Sequence, residues 1–310
     1  MDKKPLVSII TPSFNTGDYI RYTIESVLSQ GYPNFEHIIY DGGSTDETID
    51  ILKEYPHLIW ASESDRGQAH ALNKGFSKAK GAIIGWLNSD DTYNSGTIRK
   101  VVEYFNDHPE IDLIHSDCNI IDENNNLIRY AKAGEFDLNK LLFSNYIQQM
   151  TVFFRNKVID EITGIDETFS GVPDAELWLR IILNGNLKTK YIPGEVFANF
   201  RYNEGTKCYS HGEEVVDEWF IVLNRLATGY YDRSIDRKIL DAAIRKNKSR
   251  YHLALLRNSR MEGNSLHSLK NIINVVKYDF SILLNSSIYF LIIEAVVGEN
   301  LAKSIKGFVK

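Results

Sequence analysis

The sequence predicts an α/β protein: a mostly parallel sheet with helices on both faces, followed by a helical C-terminal extension. Three observations predict it. Short β-rich apolar runs alternate with stretches of helical periodicity up to Tyr93, the pattern of βαβ units. Each apolar run ends in a cluster of polar turn formers, and in such sheets ligands bind at the carboxyl ends of the strands. From about Val215 onward strand signals fade and charged, helix-forming stretches take over. The expected division is residues 1–214 and 215–310.

Leu6 to Ile10 (LVSII) reads as the first strand, broken by Thr11-Pro12-Ser13-Phe14-Asn15, where Pro and Asn favour a turn. Tyr19, Ile20, Ile24, Val27 and Leu28 recur at helical spacing between Asp18 and Gln30, and Gly31 and Pro33 end that helix. Phe35 to Tyr40 is a second strand, stopping at Asp41-Gly42-Gly43-Ser44-Thr45-Asp46, and a helix follows from about Thr48 to Tyr55. Leu58 to Ser62 is a third strand, closed by Glu63-Ser64-Asp65-Arg66-Gly67-Gln68, with a helix from about Ala69 to Ala79. Gly81 opens a fourth strand that ends in Asn88-Ser89-Asp90-Asp91.

That last stretch organises the chain. Two adjacent carboxylates at the end of a buried strand are costly unless a positive charge sits there, and a divalent cation with oxygen ligands is the usual solution. The competing reading is that Asp90 and Asp91 begin a turn and cap the helix that follows. Asp41 has the donor-accepting chemistry to bind a base N–H, and Arg66 has the fork that pairs with phosphate. Their structural alternatives are an Asx turn before Gly42-Gly43 and a surface ion pair with Asp65 or Glu63. The convergence of all four strand-end loops favours a site.

Beyond Tyr93 the pattern predicts a helix to about Asp107, a strand from Ile111 to Cys118, and a hairpin across Asn119 to Tyr130. A short helix is expected from Asp137 to Ser144, a strand from Gln148 to Phe154, and a turn-rich approach from Ile162 to Thr168. Pro173-Asp174-Ala175-Glu176-Leu177-Trp178 enters a helix closed by Asn184-Gly185. Lys188 to Pro193 and Val196 to Tyr202 look like two further strands.

Bulk properties exclude several classes. A 43% hydrophobic and 25% charged chain of 310 residues supplies the core of an ordinary globular protein. A net charge of −6 speaks against nucleic-acid binding. Two distant cysteines, Cys118 and Cys208, fit no metal or redox spacing and point to a reducing compartment. The N-terminal apolar run is too short for a signal peptide, and no uninterrupted apolar stretch is long enough to span a bilayer. Neither G-x-G-x-x-G after the first strand nor G-x-x-x-x-G-K-[ST] anywhere is present, which disfavours dinucleotide dehydrogenases and P-loop NTPases.

Five motifs in order carry a resemblance: VSIITPSFN at Val7 to Asn15, IIYDGGSTDET at Ile38 to Thr48, ESDRGQAHALNKG at Glu63 to Gly75, GWLNSDDTY at Gly85 to Tyr93, and PDAELWLR at Pro173 to Arg180. Together they resemble the inverting glycosyltransferases of family 2, of the GT-A fold (a Rossmann-like sheet), including those that build bacterial surface polysaccharides. The resemblance spans roughly residues 5 to 205 and specifies neither donor nor acceptor.

The resemblance implies a nucleotide-diphosphate-sugar donor, by default a UDP-sugar, and a hydroxyl acceptor on a glycan or a lipid-linked sugar. It makes Thr11, Pro12, Ser13, Phe14, Asn15 and Asp41 a pocket for nucleobase and ribose. Asp65, Arg66 and Gly67 line nucleotide and diphosphate. Asn88, Ser89, Asp90 and Asp91 stand where the family has its D-x-D motif, with Asp90 as the best ligand for Mn²⁺ or Mg²⁺ and Asp91 as the second acidic member. Asp174 stands in the position of the catalytic base. Cytoplasmic work, at the inner face of the membrane, is the expected location.

Two positions depart from the family pattern. Asn88 replaces the first acidic residue, so a cation rests more heavily on Asp90. Asn203 stands where relatives carry the His of an R-x-H pattern beginning at Arg201; His211 is either its replacement or an ordinary loop histidine.

Inverting transfer needs a neutralised leaving diphosphate, a base for the acceptor hydroxyl and an in-line, drier pocket. Asp174 fits the base, although Asp at the start of a helix is also a common cap. Glu176 is the fallback base or a partner of the helix dipole. Trp178 is either an acceptor wall or, with Leu177 and Ile181, part of the core. In the C-terminal region Arg245, Lys246, Lys248, Arg250, Arg257 and Arg260 form a basic region, and Phe280 to Val297 is strongly apolar. That combination reads as a helical appendage packed on protein or as a peripheral membrane contact. Competing functions are a sugar-phosphate nucleotidyltransferase, which would want a Gly-rich basic loop that TPSFNTGDY lacks, and a catalytically inactive sugar-nucleotide-binding scaffold.

Overall fold

A computed structural model describes residues 4–202, 212–231, 235–261 and 265–280. The chain divides into two compact units, Met1–Thr206 and Lys207–Lys310.

The first unit is built on one curled, nine-stranded sheet. Its first strand, β1 (Val7–Ser13), lies between β2 (Phe35–Asp41) and β4 (Ile83–Trp86), parallel to both, and β3 (Ile59–Ser62) adds to β2 in parallel. Every residue of β1 is buried, as a central strand covered on both faces requires. The linking helices are α1 (Ile20–Leu28), α2 (Thr48–Lys53) and α3 (Gln68–Lys78). Ile20 and Ile24 pack with Ile39 and Leu52 in one cluster, while Val7, Ile9, Val27 and Ile83 join a larger one. The predicted βα alternation and strand ends hold through this half. The first strand, however, runs on through Thr11-Pro12-Ser13. Its pairing with β4 stops at Ile10, so Pro12 lies past that ladder, where a missing amide donor is tolerated.

The second half departs further from the local pattern. β5 (Thr92–Tyr93) and α4 (Thr97–Asp107) follow the Asp pair, then the hairpin of β6 (Leu113–Ile121) and β7 (Leu127–Ala131), α5 (Leu138–Phe143), a 3-10 turn at Gln149–Thr151, β8 (Phe153–Arg155), α6 (Lys157–Ile162), α7 (Pro173–Asn184) and β9 (Thr189–Arg201). β8 runs antiparallel to both β4 and β6, so the sheet is mixed. The single strand expected at Gln148 to Phe154 is a helical turn plus a three-residue strand, because Gln149 turns inward to donate to the Trp86 carbonyl at 2.7 Å. The two strands expected between Lys188 and Tyr202 are one. The register skips from Ser116↔Ile192 to Asp117↔Val196, a bulge at Pro193-Gly194-Glu195 that Gly194 accommodates at φ +80°. Pro173 in the first turn and Gly185 at φ +70° bound α7, as the sequence signals predict.

The second unit holds α8 (Gly212–Ala227), α9 (Arg237–Met261) and α10 (Ser265–Tyr278). α9 and α10 are joined by polar contacts: Ser249 donates to the Val275 carbonyl at 3.1 Å, and the His252 ring stacks on Tyr278 at 5.8 Å. Of the basic region, Lys248 lies over the Tyr278 ring, and burial lowers the Arg250 pKa. No helix among the described residues is long and apolar enough to cross a membrane. Cys208, His211 and all but Phe280 of the apolar Phe280 to Val297 stretch lie outside the described residues.

Candidate functional site

The ends of β1 and β2 are tied into one surface. Asn15, at φ +51°, accepts from the Thr45 amide at 2.9 Å through its side chain and donates its own amide to Ser44 Oγ at 2.7 Å. Asp46 accepts from the amides of Gly17 and Thr48. Of the five β1-end residues expected to bind nucleotide, Phe14 and Asn15 are exposed. Thr11 is fully buried and pairs with His37 Nε2 at 2.9 Å. Burial drives the His37 pKa down to about 3, so that imidazole is neutral. The Thr11 side chain is therefore turned into the protein and committed to His37.

Asp41 is also committed within the protein. Its Oδ2 accepts from the Gly43 amide at 3.0 Å, the Ser44 amide at 2.8 Å and Ser62 Oγ at 2.7 Å, and its Oδ1 accepts from Ser44 Oγ at 2.5 Å. A carboxylate has roughly four acceptor sites, so a contact with a base N–H would displace one of these donors. Asp41 holds the β2 and β3 loops together, as in the Asx-turn alternative.

In the β3 loop, Asp65 accepts from the Gly67 amide at 2.8 Å, and Gly67 opens α3 at φ +108°. Asp65 also packs on Gly42, where an added Cβ would meet its carboxylate at 3.1 Å. Arg66 forms an ion pair, but with neither Asp65 nor Glu63: its Nη2 donates to Glu167 Oε2 at 2.5 Å, and Glu63 pairs with Lys74. Gln68, on the first turn of α3, donates to Asn88 Oδ1 at 2.8 Å, and Trp86 Nε1 donates to the same oxygen. Asn88 thus links the end of β4 to the start of α3, and Ser89 beside it is buried.

Asp90 and Asp91 separate. Asp90 is partly buried, and burial raises its pKa against the opposing effect of Arg201. Among the described residues no other side chain hydrogen-bonds to its carboxylate. Asp91 is fully buried: Oδ1 accepts from the Arg201 amide at 3.0 Å, and Oδ2 is a buried atom without a partner. Burial and the Asp90 charge push its pKa well up. The carboxylate expected as the second metal ligand is thus closed to solvent and tied to β9 through one oxygen, while its other oxygen is buried without a hydrogen-bond partner.

Arg201 is the hub of this corner. It is fully buried, its guanidinium lies over the rings of Tyr19 and Tyr22 at 5.1 and 5.4 Å, and Nε donates to the Asp90 carbonyl at 2.9 Å. Its Nη atoms hold the β6–β7 turn through the Asp122 and Glu123 carbonyls and Asn125 Oδ1. It positions the Asp90 backbone rather than meeting a ligand.

Asp174, on the first turn of α7, is partly buried; Asn145 Nδ2 donates to its Oδ2 at 2.8 Å. Burial raises its pKa, opposed by that amide and by the Ala175 N–H. Glu176 is corrected as a fallback base: it is 1% exposed, and Arg180 Nε donates to both of its oxygens at 2.9 Å. Trp178 is corrected as an acceptor wall, since it is fully buried and meets Phe136 edge-on. The 145–149 segment carries both Asn145, on Asp174, and Gln149, on the Trp86 carbonyl, and so ties the start of α7 to the end of β4. Gln68 lies inside the third motif, whereas Asn145, Gln149 and Glu167 lie outside all five, and only their long-range partners give these four residues meaning.

The residues fit a divalent cation held sparingly. No group of three or more His, Cys, Asp or Glu side chains able to hold a metal occurs among the described residues. Mg²⁺-type ions, however, commonly use one or two carboxylates plus substrate phosphates. Asp90, burdened by burial and free of a side-chain partner, is the carboxylate such an ion would satisfy.

Comparison with known proteins gives the family and the fold. Residues 8–162 match the model of Glycosyl transferase family 2. A PGL/p-HBAD biosynthesis glycosyltransferase of Mycobacterium bovis is 30% identical over 206 residues, covering 64% of this chain and 77% of that protein. Among solved structures, Staphylococcus aureus TarS 1-349 in complex with UDP-GlcNAc superposes with a TM-score of 0.64 at 16% identity, covering 89% of this chain and 90% of that one. The mannosyltransferase PcManGT from Pyrobaculum calidifontis, in complex with GDP-Man and Mn²⁺, gives 0.58 at 15% identity, covering 98% and 87%. At such identities the likeness is one of fold, and it is the GT-A fold. With half of its length on the family model, the chain belongs to glycosyl transferase family 2.

Proposed function

We propose that the chain transfers a sugar from a nucleotide-diphosphate sugar to a hydroxyl of a glycan or lipid-linked acceptor, with inversion, in the synthesis of a surface polysaccharide or glycoconjugate. The observation that carries this reading is a pair of partly buried carboxylates, Asp90 and Asp174, each with its pKa raised by burial and neither in an ion pair among the described residues. Two carboxylates that burial disfavours in their ionised form and that no cation pairs among the described residues are costly as structure and useful as chemistry.

The nucleoside lies against the exposed Phe14 and Asn15 and the loop held by Asp41. Arg66 pairs with the diphosphate. Asp90 would hold Mn²⁺ or Mg²⁺, which when bound supplies charge neutralisation at the leaving diphosphate; the PcManGT complex with Mn²⁺ supports this choice of ion. Asp174 accepts the proton of the acceptor hydroxyl as that oxygen attacks the anomeric carbon from the face opposite the leaving group. A raised pKa makes its carboxylate a stronger base at neutral pH, and Asn145 fixes its orientation. One displacement needs one base, in contrast to the paired carboxylates of glycoside hydrolysis. UDP-sugars are the first donors to try, with GDP-sugars next, since the two structural neighbours hold UDP-GlcNAc and GDP-Man. The catalytic work belongs to the first unit; the helical unit is assigned to protein or peripheral membrane contact, and the setting is the cytoplasmic face of a membrane carrying the acceptor.

A panel of UDP- and GDP-sugars, with Mn²⁺ or Mg²⁺, tests the reading through release of the nucleoside diphosphate. The expected result is turnover with one donor that Asp174→Asn abolishes. No release with any donor, or turnover by that variant at the wild-type rate, refutes it.

A further inference from the structure

We propose that Glu167 is a positioning residue that holds Arg66 in the donor-free protein and yields it to the diphosphate, so that donor binding and product release are coupled to the loop leading into α7. The proposal rests on the reading of Arg66 as the diphosphate-binding residue.

The geometry singles out Glu167. Its two oxygens serve two elements: Oε2 accepts from Arg66 at 2.5 Å, and Oε1 accepts from Asn73 Nδ2 at 3.1 Å. Asn73, on α3, also clamps the backbone of the same segment. Its Nδ2 donates to the Ile165 carbonyl and its Oδ1 accepts the Ile165 amide, both at 2.8 Å. The fit is close, since a Cβ on Gly164 would stand 2.7 Å from Asn73 Oδ1. The segment is therefore pinned to the helix that starts at the donor loop, with Glu167 aimed at the one cation of Asp65-Arg66-Gly67.

The pair is built to exchange. Arg66 is 69% exposed and Glu167 29% exposed; an ion pair in that setting is weak. A diphosphate offers more charge and a bidentate fit to guanidinium, so it wins Arg66 while bound. Once the nucleoside diphosphate begins to leave, Glu167 recaptures the guanidinium and lowers the affinity for product. A carboxylate placed seven residues before Asp174 thereby reports donor occupancy to the segment that carries the base.

The test uses the full chain titrated by calorimetry with UDP and with GDP in the presence of Mn²⁺, beside steady-state turnover. Glu167→Gln keeps an oxygen for Asn73 and removes the charge. It is expected to tighten diphosphate binding about two- to five-fold, the range an exposed pair supplies, and to lower KM and kcat together as product leaves more slowly. Glu167→Asp is expected to restore part of both. In an Arg66→Gln background, where binding is weakened, Glu167→Gln is expected to change nothing. Unchanged affinity in Glu167→Gln, or the same gain without Arg66, overturns the proposal alone. Failure of wild type to bind either diphosphate overturns the donor-site reading and the proposal with it.

Discussion

Replacing Asp174 by Asn separates catalysis from stability in opposite directions. The amide keeps an oxygen for Asn145 Nδ2 and the same volume on the first turn of α7, so the fold is preserved. The proposed base is lost, and general base catalysis contributes roughly 10²–10⁴-fold, so kcat is expected to fall by about that factor while nucleoside-diphosphate affinity stays near that of wild type. Stability moves the other way. Burial raises the Asp174 pKa in the folded state, above the unfolded value near 3.9, so the folded protein binds this proton more tightly and the ionised carboxylate costs stability at neutral pH. The cost is absent below the unfolded pKa, grows through the window between the two values, and is constant above the folded one. Partial exposure keeps that cost small, and for a unit of this size each kcal/mol recovered is worth about 2–4 °C in Tm. The assays are turnover, calorimetric nucleotide binding and thermal melts at several pH values. Asp174→Asn is expected to melt higher than wild type at pH 7, and the difference is expected to close as pH falls below the ordinary carboxylate range and the carboxyl protonates in both states. The acid limb of the wild-type rate profile is expected above the ordinary carboxylate range. A variant with wild-type kcat, or one that melts lower at pH 7, refutes the reasoning.

Asp90→Asn is expected to remove turnover by about 10³-fold or more, as loss of a principal electrostatic contact does, and excess chelator should do the same to wild type with recovery on Mn²⁺; full activity in chelator would count against the cation. Arg201→Lys keeps the charge but loses the planar fork and the stacking on Tyr19 and Tyr22; a roughly ten-fold rise in the Mn²⁺ concentration needed for half activity is expected, in line with loss of an outer-shell partner, and an unchanged requirement would end its positioning role. Glu176→Gln breaks a buried pair with Arg180 and is expected to cost about 3 kcal/mol in denaturant melts while leaving kcat per folded molecule near wild type; a selective loss of kcat would return Glu176 to the chemistry.

The part of the fold legible in the sequence is the part fixed by local periodicity. Ile20, Ile24 and Val27 recur at helical spacing and all are buried, and Pro173 and Gly185 bracket α7. What local pattern does not carry is pairing at a distance. The antiparallel insertion of β8 beside β4, the two-residue β5 and the bulge that makes β9 one strand are set by partners far along the chain. The site divides the same way. Its loops were legible because each ends a strand, yet the roles within them depend on partners such as Glu167, 101 residues from Arg66, and Arg201, 110 from Asp91. What the carboxyls of Asp41 and Asp91 can accept is legible in the sequence; that Asp41 is taken up by Gly43, Ser44 and Ser62, and that one oxygen of Asp91 is tied to β9, is not.

Asn88 shows why the departure from a D-x-D pattern is tolerated. Its Oδ1 accepts from both Trp86 Nε1 and Gln68 Nε2 at 2.8 Å. That oxygen is the joint between the end of β4 and the start of α3, the helix whose N-terminal loop carries Arg66. An Asp in its place would bring a third carboxylate to a corner where Asp90 and Asp91 already titrate high through burial, and like charges in a partly dry site raise one another's pKa further. The amide satisfies the same two donors without that charge. Under the proposed function a cation would rest on Asp90 and the donor's own phosphates, so metal and sugar nucleotide are expected to bind as one unit.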